Sequence, residues 1–287
     1  MSTVVVTDST ACLPVAMAQQ HGIEVVPLHV VVGGRTYAEG VDITPAEVAE
    51  LLRRGKKAVS TSRPAPGEFV QRYQEIAARR GADHIVSVHL SSRVSGTLEA
   101  AELAVATMSG EVAVTVVDSR TLGMAMGYAV RAGADAAARG VGHQEVADLV
   151  RRRAGEARAW FYVDTLEYLR RGGRVGTALA LVGGALAIKP LLQVSDGQVQ
   201  PWERVRTRAK ALARLETQTL ETARGLREQG REVCVAVHHL GFAERAEEVC
   251  GRLREGLPDC EIDLVELDAV LSVHTGPGTL AIVVSPE

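Results

Sequence analysis

The stretch SSRVSGT, residues 91–97, carries four hydroxyl groups and one arginine within seven residues. It follows the apolar run HIVSVHL and precedes the alanine-rich LEAAELAVA, where a buried strand gives way to a helix. Some of these hydroxyls would cap the helix that starts near Thr97, but four exceed what one cap can use. The others could supply a catalytic nucleophile, hold a phosphate or anchor the anionic end of a ligand.

Neither a hydrolase nor a nucleotide site fits this stretch well. The strained turn of a serine hydrolase favours the pattern GxSxG, whereas the chain reads RVSGT, with glycine only after Ser95. No phosphate loop of the form GxxxxGKS or GxxxxGKT occurs, and GPGTLA at 276–281 comes too late in the chain to open a βαβ unit. Free N–H groups at a helix start still favour an anion, so Ser95, Gly96 and Thr97 could hold a carboxylate as readily as a phosphate.

A second group of candidates lies in the last third of the chain. His274 stands between an apolar run and a Gly-Pro-Gly turn, and such turns allow backbone to approach a ligand closely. The pair His238 and His239 has no carboxylate at metal-ligand spacing, so we expect it to be structural and predict no metal or other cofactor. In RRGGR the first two arginines suit a helix end, which leaves Arg174 as a candidate cation.

Composition and charge exclude several classes of protein. A net charge of −3 without a basic block interleaved with aromatic residues argues against nucleic acid as a partner. The four cysteines are too scattered for paired metal ligands, and the first residues lack a secretory pattern, so we expect reduced thiols in the cytoplasm. The longest apolar stretch, residues 178–188, is shorter than the roughly 20 residues of a membrane span, so no integral membrane segment is predicted.

Short β-branched runs alternate with helical patterns along the chain, which predicts an α/β fold with a parallel sheet. Two of these strands end alike, in Asp8-Ser9 and in Asp118-Ser119. Open parallel sheets bind ligands beyond the carboxyl ends of their strands, where this chain concentrates polar residues. The strand runs are STVVVTDS, HIVSVHLSS, VAVTVVDSR, EVCVAVHHLG and LAIVVS.

We predict two domains, 1–155 and 156–287, each of α/β type and the first built on a Rossmann-like parallel sheet. Residues 24–43 interrupt the alternation with the pattern of a hairpin around Gly33-Gly34. Residues 177–192 are apolar on nearly every side, which is typical of a buried core helix. Their small side chains would also leave room for a long apolar ligand.

Taken together, the motifs resemble the DegV family, the fatty-acid-binding proteins that serve as carrier subunits of bacterial fatty acid kinase. One departure is Cys12, where the family tends to carry an acid. The resemblance covers essentially the whole chain through VTDSTACLP (6–14), VVPLHVVVGGRTYAEGVDI (25–43), STSRPAPGEF (60–69), SSRVSGTLEAA (91–101), VVDSRTLGMAMG (116–127), LRRGGRVG (169–176), IKPLLQVSDGQV (188–199) and HTGPGTLAIVV (274–284).

The resemblance implies two α/β domains with a long-chain fatty acid between them, its tail in a buried tunnel. The carboxylate contacts would then fall on Thr61, Ser62, Ser95, Gly96 and His274, with Arg174 as a nearby cation. It also implies a non-catalytic carrier that presents the carboxylate to an ATP-dependent kinase subunit. The acyl-phosphate product would pass to an acyltransferase for phospholipid synthesis.

Two other functions remain open from the residues alone. One is a serine esterase or acyl-transfer enzyme that uses Ser95 as nucleophile and His274 as base. The other is a small-metabolite binder, similar to the substrate domain of dihydroxyacetone kinases, in which His274 contacts a carbonyl. Such a binder would need no apolar tunnel.

Overall fold

The computed structural model describes residues 2–110, 112–181 and 189–287. Its internal contacts divide the chain into two units. The first unit comprises Met1–His29 and Ser62–Gly155, and the second comprises Val30–Thr61 and Glu156–Glu287. The first unit therefore ends at residue 155, where we place the domain boundary. Residues 30–61, however, group with the second unit rather than with the first.

The elements are named here in chain order. The strands are β1 (Thr3–Asp8), β2 (Glu24–Val26), β3 (His29–Val32), β4 (Arg35–Ala38), β5 (Val59–Ser62), β6 (His84–His89), β7 (Ala113–Asp118), β8 (Arg158–Tyr162), β9 (Lys189–Ser195), β10 (Gln198–Val205), β11 (Val233–His239), β12 (Glu261–Glu266) and β13 (Leu280–Pro286). The helices are α1 (Val15–Gln20), α2 (Pro45–Arg54), α3 (Pro66–Arg80), α4 (Thr97–Thr107), α5 (Met124–Ala138), α6 (His143–Glu156), α7 (Glu167–Arg171), α8 (Arg208–Glu228), α9 (Ala243–Gly256) and α10 (Ala269–Thr275). Short 3-10 helices span Ser9–Ala11 and Gly176–Leu181.

The first unit is built on a parallel sheet of strand order β2-β1-β6-β7, which confirms the predicted fold class. Phe69, Tyr73 and Ile76 of α3 pack with the valines of β1 in its core. α4 contributes Ala100, Ala101 and Ala104, whose small side chains are fully buried there. Because the strands are parallel, the carboxyl ends of β1, β6 and β7 lie along one edge of the sheet.

The second unit contains a mixed sheet of order β10-β9-β8-β13-β11-β12. β11 is parallel to β12, but β13 runs antiparallel to both β8 and β11, so the expectation of parallel pairing was wrong for β13. The seven residues of α10 span only about 10 Å of helix, roughly half the length of a six-residue strand. The chain therefore does not cross back over the sheet after β12, and β13 starts from the edge where β12 ends.

Residues 24–43, which interrupt the alternation of strands and helices, contribute strands to two different sheets. β2 joins the parallel sheet beside β1, whereas β3 and β4 are neighbours in a separate sheet of order β4-β3-β5. Gly33 and Gly34 connect β3 to β4 with φ values of 58° and 85°, a conformation that glycine adopts without strain. α2 packs on α10, which explains why residues 30–61 group with the second unit.

The apolar segment 177–192 lies only partly within the described residues. The 3-10 helix Gly176–Leu181 covers its beginning and β9 covers its end, and residues 182–188 lie outside the described chain. The expected core helix is therefore wrong for residues 189–192, which lie in β9, and the contact of this segment with a ligand tail stays a prediction. No helix in the described ranges has the length and hydropathy to span a membrane.

Candidate functional site

Two of the expected site residues are in direct contact. The Oγ1 atom of Thr61 lies 2.8 Å from Nε2 of His274, and 213 residues of chain separate them. Thr61 lies on β5, and His274 lies in the last turn of α10. At the other end of α10, Asp268 caps the helix by accepting the Leu271 N–H. Thr61 and His274 both belong to the second unit.

His274 is a neutral imidazole at pH 7. Burial lowers its pKa to about 4, and the guanidinium of Arg174 acts in the same direction. Nδ1 is buried and has no hydrogen-bond partner among the described residues. We assign the proton to Nε2, because a buried N–H without an acceptor costs more than a bare ring nitrogen. Nε2–H then donates to Thr61, and the Thr61 hydroxyl keeps its own proton for a ligand.

Glycines allow the approach of the aromatic rings in this region. A Cβ on Gly172 would collide with Nδ1 of His274, and one on Gly276 would collide with the ring of Tyr168. Gly276 also has a φ of 77°, which disfavours any side chain. The RRGGR and HTGPG motifs are therefore packed against each other in the second unit.

Thr61 and His274 line a cavity of about 400 Å³. Its polar side includes Lys57, Arg171 and Arg174, and no carboxylate is found among the described residues that line it. Arg171 is paired with Glu167 at 2.7 Å, whereas Lys57 and Arg174 add positive charge that favours an anion in this space. The apolar lining comprises Leu51, Leu52, Ala58, Val59 and Val273.

Arg174 lies beside His274, and a backbone carbonyl helps to orient its side chain. Its NH1 donates to the carbonyl of Gly172 at 2.6 Å, and its side chain is half-buried. Arg174 therefore supplies positive charge to the cavity from a position that the Gly172 carbonyl holds. Its role as a cation near the bound carboxylate stays a prediction.

Ser95 and Gly96 lie in the first unit, at the start of α4. Ser95 Oγ lies 2.8 Å from Oγ1 of Thr97 and accepts the Thr97 N–H at 3.3 Å. A serine hydroxyl has two lone pairs and one proton. When both Thr97 groups donate to it, its own proton is left to donate to an anion.

Arg63 contacts the candidate site residue Gly96 and was not among the residues predicted from the sequence. Its NH1 donates to the carbonyl of Gly96 at 2.8 Å and to Glu99 at 2.6 Å. A Cβ on Gly96 would collide with this guanidinium. Arg63 therefore ties the chain after Ser62, which is exposed at the end of β5, to the start of α4. The only sequence signal was a cation beside two expected ligand residues.

The remaining titratable candidates are structural or unassigned. Complete burial lowers the pKa of His238 to about 4, as expected for a core histidine. Within the described ranges, Cys234, Glu261 and Glu287 have ligand atoms within 4.8 Å of one another. The Cys234 thiol donates to Glu261 at 3.1 Å, and nothing else at this place indicates an ion. The expectation of no metal stays a prediction.

Comparison with known proteins extends over the whole chain. The DegV family model matches residues 2–287. A DegV domain-containing protein of Streptomyces coelicolor is 46% identical over 282 residues, covering 98% of this chain and 97% of the relative.

Solved structures give the same result for the fold. The crystal structure of DegV from Bacillus subtilis, a fatty acid binding protein, has a TM-score of 0.91 and 32% identity, with full coverage of both chains. The fatty acid binding DegV family protein from Thermus thermophilus has a TM-score of 0.86 and 33% identity, also with full coverage of both chains.

Proposed function

The chain belongs to the DegV family, and on this premise we propose that it binds a long-chain fatty acid. The carboxylate is held by Thr61, Ser62, Ser95 and Gly96, and His274 acts through its hydrogen bond to Thr61. The observation that carries this proposal is the Thr61–His274 hydrogen bond at the wall of a cavity whose described lining residues include Lys57, Arg171 and Arg174 and no carboxylate. The fatty acid binding relatives from Bacillus subtilis and Thermus thermophilus support it.

The protonation states suit a carboxylate. A buried carboxylate needs hydrogen-bond donors, since an unpaired buried charge costs several kcal/mol. Neutral His274 donates to Thr61, so the Thr61 hydroxyl donates onward to the ligand. Arg174 adds positive charge beside the pair, and its NH1 donates to the Gly172 carbonyl.

The acyl chain supplies most of the affinity. Each methylene removed from water contributes about 0.8 kcal/mol, so a chain of about sixteen carbons binds tightly even after ordering costs are subtracted. The apolar segment 177–192 is the proposed wall for this tail. No metal or organic cofactor is required for binding.

We propose further that the protein is a carrier and not an enzyme. Single hydroxyl donors leave a carboxylate oxygen free, whereas an arginine fork would occupy both oxygens. A partner kinase subunit uses this oxygen as nucleophile: it attacks the γ-phosphorus of ATP, a new O–P bond forms and ADP leaves. The acyl-phosphate then passes to an acyltransferase for phospholipid synthesis, which makes the cytoplasm the proposed location.

Two observations weigh against an esterase that uses Ser95 and His274. An efficient general base has a pKa near the working pH, whereas that of His274 is lowered to about 4. Nε2 of His274 is hydrogen-bonded to Thr61, and Ser95 Oγ is hydrogen-bonded to Thr97. Neither group is arranged as an activated nucleophile and its base. A fluorophosphonate probe should therefore leave Ser95 unlabelled.

The proposal is tested by mass spectrometry of an organic extract from the purified, denatured protein, compared with native mass spectrometry of the intact form. We expect one fatty acid per chain. A protein that is empty and that takes up neither oleate nor palmitate would contradict the proposal, and a small metabolite released instead would favour the alternative binder. Addition of a fatty acid kinase subunit and ATP then tests the carrier role through acyl-phosphate formation.

A further inference from the structure

We propose that Asp118, together with Ser92, is a positioning residue for Ser95, and that Asp8 holds the same segment from the other side. The positioning segment is defined here as residues 90–95. The inference rests on the proposed function, in which the Ser95 hydroxyl contacts the carboxylate. It also explains why two strands of the first unit end in the same Asp-Ser pair.

Asp118 ends β7 and binds the segment through both carboxylate oxygens. Oδ2 accepts the Ser92 hydroxyl at 2.6 Å, and Oδ1 accepts the Ser92 N–H at 3.3 Å. Oδ1 also accepts the N–H of Arg120 at 2.8 Å, and Arg120 has a φ of 53°, which side chains rarely adopt. The tight turn after β7 thereby presents the carboxylate to Ser92.

Asp8 ends β1 and holds the beginning of the segment. One oxygen accepts the Leu90 N–H at 3.0 Å and lies 3.0 Å from Nδ1 of His89. The other accepts the N–H and the hydroxyl of Thr10 at 3.1 and 2.5 Å. Asp8, His89 and Thr10 are fully buried, so this end of the segment is anchored in the core.

A chain of side-chain hydrogen bonds makes that anchor rigid. His89 Nε2 lies 2.8 Å from Ser87 Oγ, which lies 2.8 Å from the Tyr73 hydroxyl. When Nδ1 donates to Asp8, Nε2 accepts from Ser87, and Ser87 accepts from Tyr73. Burial raises the pKa of Tyr73, which keeps its phenol protonated as the first donor.

Between the two carboxylates the backbone makes a closed turn. The Ser91 N–H donates to the carbonyl of Thr121 at 2.9 Å. The Ser91 carbonyl accepts the N–H groups of Val94 and Ser95 at 3.1 and 3.2 Å. A shift of Ser92 therefore moves Ser91, and with it the hydrogen bond that fixes the Ser95 backbone.

The contacts of Asp8 and of Asp118 with the positioning segment differ in solvent exposure. The contact of Asp118 with Ser92 can therefore be removed without unfolding the protein. Asp8 lies in the core, and its loss would disturb folding. Ser92 is exposed and Asp118 is only half-buried, so changes there should leave the fold intact. The Ser92 hydroxyl is consequently the group to remove.

The experiment compares Ser92→Ala and Asp118→Ala with Ser92→Thr, which restores the hydroxyl. Ser109→Ala, another exposed serine of the same unit, is the matched control. We expect the two alanine variants to bind fatty acid about three- to tenfold more weakly and to exchange the Ser95 amide hydrogen faster. Ser92→Thr and Ser109→Ala should behave as wild type, and urea unfolding should be nearly the same for all variants.

A double variant separates positioning from a second, independent contact. If Ser92 acts through Ser95, Ser92→Ala combined with Ser95→Ala should bind no more weakly than Ser95→Ala alone. Additive losses, or Ser95 amide exchange that does not change in Ser92→Ala, would overturn the inference. A wild-type protein that binds no fatty acid would contradict the proposed function instead, while amide exchange would still test the positioning.

Discussion

The Thr61 hydroxyl and Nε2 of His274 are joined by a hydrogen bond of 2.8 Å across 213 residues of chain. The bond links β5, the strand that follows α2, to the last turn of α10 near the end of the chain. Because His274 is neutral and its Nε2–H donates to Thr61, the pair offers an anion the proton of the Thr61 hydroxyl and no positive charge.

Thr61→Val should weaken fatty acid binding about tenfold, because valine keeps the shape of threonine but donates no hydrogen bond. The loss also leaves Nε2–H of His274 without its acceptor, so the free energy of unfolding should fall by about 1 kcal/mol. Isothermal titration with oleate and urea unfolding measure the two effects. Thr61→Ser, which keeps the hydroxyl, serves as control, and equal affinity in the valine variant would contradict the assignment.

Stability should fall as the solution becomes acidic, partly through His274. Its folded pKa is about 4, below the ordinary value of 6.5, so the unfolded state binds more protons between these values. The contribution is therefore fully present above about pH 6.5 and is lost as the pH falls toward 4. Urea unfolding at several pH values should show a shallower decline for His274→Gln than for wild type. Parallel curves for the two proteins would be inconsistent with this titration.

Gly172→Ala should displace the His274 ring, since the new Cβ would collide with Nδ1. We expect a loss of about 1–3 kcal/mol in unfolding free energy and weaker fatty acid binding. Gly225→Ala is the control, because a Cβ there meets nothing within 4 Å and the residue lies inside α8. That variant should be neutral or up to about 1 kcal/mol more stable. Similar behaviour of the two alanine variants would refute the close approach at Gly172.

Arg174→Gln should raise the pKa of His274 toward its ordinary value, because the arginine charge helps to lower it. The same change removes a cation from the cavity, so fatty acid affinity should fall and should depend less on salt. NMR titration of the His274 ring and binding at two salt concentrations give the readouts. The control is Arg170→Gln, which loses a surface pair with Glu167. An unchanged His274 titration in Arg174→Gln would show that the two groups are not coupled.

Local patterns predicted much of the fold correctly. The five β-branched runs form β1, β6, β7, β11 and β13, and α4 begins at Thr97 as its flanking residues indicate. Strand and helix formation depend mainly on the spacing of apolar residues and on caps, which are properties of neighbouring residues. The order of motifs likewise indicated the DegV family, which the family model matches.

Long-range relationships were beyond the sequence pattern. The antiparallel direction of β13 depends on how little distance α10 covers after β12, and the grouping of residues 30–61 depends on the packing of α2 against α10. The hydrogen bond from Arg63 to the Gly96 carbonyl requires the guanidinium to lie where a Cβ of residue 96 would be, so only glycine permits it.

The sequence by itself determined five of the strands, the family and the kinds of residue that could bind an anion, because these depend on residue type and local spacing. Only the tertiary structure decided that Thr61 meets His274, that Asp8 and Asp118 hold the segment before Ser95, and that His274 is neutral. Hydrogen-bond partners and burial depend on which distant segments meet in the fold, and local patterns carry no information on that.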